Sequence, residues 1–313
     1  MAGILGLALL TAASVQADAV PAEVMPPLSA VQTCRADHIR SLLFERSTGR
    51  ILVVAHRGVH DTVPENSIAG IERAIALGVS VVEIDVRRTA DGQYVLMHDS
   101  TLERTTDRSG RIRDTRWTDL RSARLRRDDG TLTGERVPTL AEAFDAGKGR
   151  IWIMIDSKVD GPEEVAAIMR IARERGVLGQ TILYDFKPDL LVRYRELAPE
   201  AKVMGRTKKR EQVAEIVNRV RPDIFHIEPG YNSAALGRQF DRLGVPTWLN
   251  VIGPVDAKAR EVGDDLAYRA QLSFQPDLVQ TDRPAELIAL LRQKRLHPAG
   301  LDGDRCNPME PKK

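Results

Sequence analysis

VVEIDVRRTADGQYVLMHD, residues 81–99, decides how this chain folds. It opens as a β-branched apolar run, VVEIDV (81–86), yet carries Glu83 and Asp85 two residues apart. Side chains alternate along a strand, so both carboxylates fall on one face. Asp91-Gly92 interrupts the pattern, a dipeptide suited to the positive φ of a tight hairpin turn. A second apolar run, YVLMH (94–98), follows and ends in His98. Too few residues separate the two runs for a parallel crossover. The stretch therefore reads as an antiparallel hairpin that returns His98 opposite the two acids.

Outward from this hairpin, short apolar runs alternate with helical patterns. The runs are ILVVAH (51–56), IWIMID (151–156), TILYD (181–185), KVMGR (202–206), DIFHIE (223–228), TWLNV (247–251) and DLVQTD (277–282). Between them, Ile68, Ile71 and Ile75, and again Val165, Ile168 and Ile171, recur at helical spacing. Such alternation argues for a parallel sheet covered by helices. No glycine-rich loop follows the first strand, which disfavours a dinucleotide-binding fold. With the hairpin strand set apart, eight runs remain, the number a closed (β/α)8 TIM-type barrel requires. The expectation is an α/β barrel, distorted by a hairpin after its second strand. Residues 51–295 would form it, and the polar residues 100–138 would make a small insert at its mouth.

The rest of the chain of 313 residues bounds the function. A net charge of +2 gives no basic field of the kind nucleic acid attracts, so no such partner is expected. The stretch from Arg104 to Arg127 is dense in arginine but interleaved with Asp107, Asp114 and Asp119. Two readings stand: a solvated surface, or attraction of anionic substrates. Residues 1–17 read as an export leader, an apolar run closed by the small-x-small pattern Val15-Gln16-Ala17, though no Lys or Arg precedes the run. A periplasmic or secreted protein is expected, with no membrane anchor after cleavage. Residues 18–50 form an N-terminal segment and residues 296–313 an irregular tail. Cys34 and Cys306 could form a disulfide if the fold brings the chain ends together; two unpaired thiols are the alternative.

In a barrel of this kind, polar residues at the C-terminal ends of strands form the catalytic face. Here those positions hold His56 and Arg57, Glu83 and Asp85, His98, and Asp156 with Lys158. Three carboxylates converging on one mouth repel one another unless a hard divalent cation with oxygen ligands neutralises them. Two histidines beside it suit proton transfer near neutral pH. Arg57 and Lys158 would offset the charge of a bound anion, a phosphate above all. Together these residues point to phosphoryl transfer on a phosphodiester.

The segments VVAHRG, PENSIAGIERAIALG, VEIDVRRTADGQYVLMHD and LERTTDRSG, followed by IMIDSK, PTWLNV and DLVQTDRP, resemble the ordered motifs of the glycerophosphodiester phosphodiesterase family. The resemblance covers roughly residues 51–290. It implies a distorted eight-stranded barrel similar to that of phosphatidylinositol phospholipases C. It also implies a divalent cation, Ca2+ or Mg2+, and a small-molecule glycerophosphodiester substrate split into an alcohol and glycerol 3-phosphate. By position, His56 and His98 would be the acid/base pair, and Glu83, Asp85 and Asp156 the metal ligands. Arg57 and Lys158 would contact phosphate, Glu65 would orient Arg57 or the metal, and Trp248 would line the substrate pocket. The family's third metal acid is usually Glu, so the shorter Asp156 would leave room for a water between carboxylate and metal. Two alternatives are a lysophospholipase D or sphingomyelinase D-like activity, which needs an apolar mouth, and a non-catalytic barrel that binds a phosphorylated ligand.

Overall fold

The computed structural model describes residues 34–303 except 46–48 and 160. The leader, Cys306 and the end of the tail lie outside the described residues, so the Cys34–Cys306 pairing does too. Eleven strands are present among the described residues: β1 (Leu52–Ala55), β2 (Val81–Arg88), β3 (Tyr94–Leu96), β4 (Arg124–Arg126), β5 (Leu132–Arg136), β6 (Trp152–Ser157), β7 (Thr181–Tyr184), β8 (Lys202–Arg206), β9 (Ile224–His226), β10 (Thr247–Asn250) and β11 (Leu278–Thr281). Eight of them close a parallel barrel in the order β1, β2, β6, β7, β8, β9, β10, β11, with β11 returning to β1. β3 lies outside the ring, antiparallel to β2, with Val86 opposite Leu96 and Arg88 opposite Tyr94. The hairpin turn is fastened locally: Thr89 Oγ1 donates to Asp91 Oδ1 and accepts from the Gln93 amide, and Gly92 takes a φ of 92°. Nine apolar runs thus become eight barrel strands and one folded-back strand.

Each barrel strand is buried on both faces, as expected of a parallel sheet enclosed by helices. One face packs on the helices; Ile71, Ala74 and Ile75 of the helix Ile68–Leu77 meet Val53, Val82 and Ile84 in that layer. The other face fills the barrel with Val54, Val81, Met154, Ile182, Met204, Ile224, Trp248 and Leu278. The helix Arg35–Phe44 closes the N-terminal end of the barrel with Ala36, Ile39 and Leu43. Its Arg35 guanidinium is buried and donates to the carbonyls of Val79 at 2.5 Å and Leu301 at 2.9 Å, and Trp152 Nε1 donates to Ala36 O at 2.8 Å. With this helix capping the floor, the barrel opens at the C-terminal ends of its strands, where a barrel of this kind carries its site.

Residues 100–138 are less uniformly polar in their packing than in their composition. Leu102, Ile112, Leu120, Ala123, Leu125 and Val137 bury against Val95 and Met97 of the returning segment, a small core separate from the barrel's. The β4–β5 ribbon lies within this insert. No helix among the described residues is long and apolar enough to cross a membrane.

Candidate active site

Strand register brings the acids together. β2 and β6 run parallel with Asp85 beside Asp156, and Glu83 lies one pleat earlier on the same face as Asp85. Carboxylate oxygens of Glu83, Asp85 and Asp156 all lie within 4.8 Å of one another. Glu83 and Asp85 are almost fully buried, at 2% and 1% exposure. Burial, followed by the charges of Asp85 and Asp156, pushes the Glu83 carboxyl well above the ordinary range. Burial acts on Asp85 in the same direction, but Lys158, a hydrogen bond from Asn66, and Arg57 together hold it lower. An all-oxygen donor set of this charge fits a hard divalent cation such as Ca2+ or Mg2+.

The cations stand against these acids. Lys158 Nζ is 2.6 Å from Asp156 Oδ2 and 3.0 Å from Asp85 Oδ1. Arg57 follows the end of β1 in a left-handed conformation, φ 56°, which a non-glycine residue holds only when its surroundings enforce it. Its amide donates to Glu83 Oε2 at 2.9 Å, its Nε lies 3.3 Å from Asp85, and its Nη1 donates to Glu65 at 3.2 Å. Gly58 permits the turn: its φ is 80°, and a Cβ there would meet the Gly70 backbone at 3.1 Å.

Both histidines sit at strand ends with Nδ1 held by a carboxylate. His56 Nδ1 is 2.7 Å from Asp282 Oδ1, and its Nε2 lies 4.0 Å from Glu83. His98 Nδ1 is 2.8 Å from Asp99 Oδ1. In each ring the carboxylate favours a proton on Nδ1 and leaves Nε2 to exchange protons toward the mouth. Asp282 is kept ionised: burial, its strongest single influence, is outweighed by the hydrogen bond with His56 and by the nearby His60 ring, whose Nε2 lies 3.6 Å away. Asp99 is held low chiefly by Arg104.

All of the sequence-derived catalytic, metal-ligand and substrate-contact residues except Trp248 gather at this mouth. Trp248 is 0% exposed inside the barrel, where Nε1 donates to Asn250 Oδ1 at 2.7 Å. The expectation that it lines the pocket is therefore corrected: its inward position on β10 places it among the barrel-filling side chains, below the mouth. Glu65 accepts from Arg57 Nη1, and also receives two hydrogen bonds from Arg104, at 2.7 and 2.8 Å. Four residues escaped sequence reasoning. Asn66 clamps Asp85, donating to Oδ2 at 2.8 Å and accepting the Asp85 amide at 3.0 Å. Asp282, Asp99 and Arg104 hold the histidines and Glu65. Asp282 closes the last strand run, and a carboxylate at that position was a signal of the same kind as His56 or Asp156.

The match to known proteins covers the same residues. The model of the glycerophosphoryl diester phosphodiesterase family matches residues 56–235, more than half of the chain. The chain belongs to this family. Among curated relatives of this family member, glycerophosphodiester phosphodiesterase 1 of Bos taurus is 33% identical over 165 residues, covering 50% of this chain and 49% of the relative. A glycerophosphodiester phosphodiesterase of Caldanaerobacter subterraneus is 33% identical over 161 residues, covering 49% of this chain and 65% of the relative. The match thus spans about half the length of the mammalian relative. In structure, the chain resembles a glycerophosphoryl diester phosphodiesterase from Parabacteroides distasonis, with a TM-score of 0.73 at 25% identity over 85% of this chain and 94% of the other. It also shares its fold with an Oleispira antarctica phosphodiesterase solved with the product sn-glycerol-3-phosphate, with a TM-score of 0.61 at 22% identity, covering 78% and 97% of the two chains.

Proposed function

We propose that this protein is a metal-dependent phosphodiesterase that hydrolyses glycerophosphodiesters to an alcohol and glycerol 3-phosphate. The observation that carries this reading is the convergence of Glu83, Asp85 and Asp156 with two carboxylate-held histidines at one barrel mouth. The three acids would hold a divalent cation, Ca2+ or Mg2+, which when bound supplies charge stabilisation at the phosphoryl oxygens. Arg57 and Lys158, now facing the acids, are within reach of the same space and would turn toward a bound phosphate. His56, with Nδ1 tied to Asp282, takes the proton of the attacking water as its oxygen bonds to phosphorus. The phosphorus–oxygen bond to the alcohol breaks, and His98 donates a proton to the departing oxygen. The product complex of the Oleispira antarctica neighbour supports glycerol 3-phosphate as the retained half. Arginines rather than an apolar wall face the mouth, which weighs against a lipid substrate.

The test is hydrolysis of glycerophosphocholine with and without chelator, in wild type and in His56→Ala and His98→Ala. Each substitution should lower kcat by about 100-fold or more. A p-nitrophenyl leaving group, which needs little protonation, should rescue only His98→Ala. Near wild-type turnover in chelator would remove the metal from the proposal, and equal rescue of both variants would remove the division of roles.

A further inference from the structure

A second cavity, of about 530 Å³, opens beside the acids and is lined by Arg87, Arg88, Arg111, Arg113, Lys158 and Glu164, among others. Its relation to the site follows from strand geometry. Glu83, Asp85 and Arg87 alternate along β2 on one face, so Arg87 stands one pleat beyond Asp85 toward the mouth. Its Nε donates to the His98 carbonyl at 2.8 Å, which sets the cavity against the residue assigned to the leaving oxygen. Lys158 belongs to both spaces.

The charges here differ from those on the other side of the mouth, where Arg104 is matched by Glu65 and Asp99. Around this cavity the compensation is uneven: Lys158 is matched by Asp85 and Asp156, whereas the arginines of the insert are nearly unmatched. Arg111 has no carboxylate within ion-pair distance among the described residues. Arg113 meets Asp114 at 3.7 Å with both side chains largely in solvent, a contact of negligible strength. Glu164 lies 3.6 Å from Arg88 and already accepts from the Tyr94 hydroxyl at 2.6 Å. Isolated surface arginines would be unremarkable in themselves. Cations converging on one concavity beside a reacting centre, with Glu164 the one acid in its lining among the described residues, make a site for an anion.

Building on the proposed hydrolysis, the geometry points to this cavity as the pocket for the leaving alcohol, selecting head groups that carry an additional anionic group, a phosphate monoester or a carboxylate. A choline head group would be repelled there and a neutral polyol would gain nothing from the charges. The arginine-dense stretch of the insert, from which Arg111 and Arg113 come, is then a specificity element of the active site.

The experiment compares kcat/KM for glycerophosphoinositol 4-phosphate, glycerophosphoinositol and glycerophosphocholine in the full chain with added Mg2+ or Ca2+. The first two differ only in one phosphate monoester. Wild type should prefer the phosphorylated substrate by about tenfold, with the preference shrinking as salt is raised. In Arg111→Ala/Arg113→Ala the ratio of phosphorylated to unphosphorylated substrate should fall about five- to tenfold. Arg116→Ala/Arg121→Ala, which removes the same charge from exposed insert positions outside the cavity, should keep the wild-type ratio. A wild-type ratio near one, or the same fall in both double variants, overturns the inference while leaving the hydrolysis itself standing. If none of the three substrates is cleaved, the functional reading fails. The pocket is then judged by calorimetric binding of inositol 1,4-bisphosphate, which must weaken in the Arg111/Arg113 variant and not in the control for the anion site to survive.

Discussion

Glu83 concentrates the conflict between stability and function in one side chain. It is buried beside two other acids, and its folded-state pKa lies well above the ordinary value. For a carboxyl raised in this way, stability is greatest at low pH and is lost as pH rises past the usual carboxylate range. Glu83→Gln should therefore raise Tm in chelator at pH 7, and should abolish both divalent-cation binding and the stabilisation by added cation. A lower Tm in chelator would show that the charge is satisfied by its neighbours. His60 behaves in the opposite sense. Burial pushes its pKa down, but the Asp128 and Asp282 carboxylates, at 3.0 and 3.6 Å, override this and raise it to about 9. Its contribution is fully present below the unfolded value of 6.5 and lost as pH rises to about 9. Urea unfolding of His60→Gln should thus show a deficit of at most about 3 kcal/mol at pH 6 that vanishes above pH 9; a deficit independent of pH would count against the ion pairs. At this scale, legibility followed departures from the apolar pattern. His56, His98 and Asp156 announce themselves as polar ends of apolar runs, and Glu83 and Asp85 as charges inside one. Asp282 orients His56 from 226 positions away and Arg104 reaches Glu65 across 39, so no local pattern connects them.

Among the elements, the β2–β3 hairpin and the insert behind it govern the His98 side of the mouth. The hairpin was readable because Asp91-Gly92 has one favoured geometry between apolar runs. The insert was read as merely polar because its apolar residues follow neither strand nor helix period; they pack as irregular loops around Val95 and Met97. Arg104 is the insert's link to the site, with two hydrogen bonds to Glu65 and two to Asp99. Lysine cannot reproduce this four-bond span. Arg104→Lys should lower kcat by about tenfold and displace the limb of the pH–kcat profile that depends on His98, with the Tm nearly unchanged. A fall in Tm with an unshifted profile would make Arg104 a structural residue only.

For the whole molecule, the barrel separates a sealed floor from a reactive mouth. Arg35 at the floor is 1% exposed and is satisfied by carbonyls from distant segments. Arg35→Met would leave those carbonyls buried without donors, at a cost of about 2–4 kcal/mol in chemical unfolding. KM and kcat for the remaining folded protein should stay at wild-type values; a changed KM would reveal coupling between floor and mouth.

The His56–Asp282 contact lies on the seam where β11 meets β1. It therefore joins the beginning of the barrel to its end, whereas the acid cluster on β2 and β6 is settled by neighbouring strands. During synthesis the acids can assemble while the last strand is still unmade, but His56 has no orienting partner until the ring shuts. Contacts of such long range are formed late because their loop must be closed first. Catalytic competence thus becomes a clock for ring closure. In refolding experiments, recovery of turnover should trail recovery of the far-ultraviolet signal, and a chain ending before residue 277 should bind divalent cations more readily than it turns over substrate.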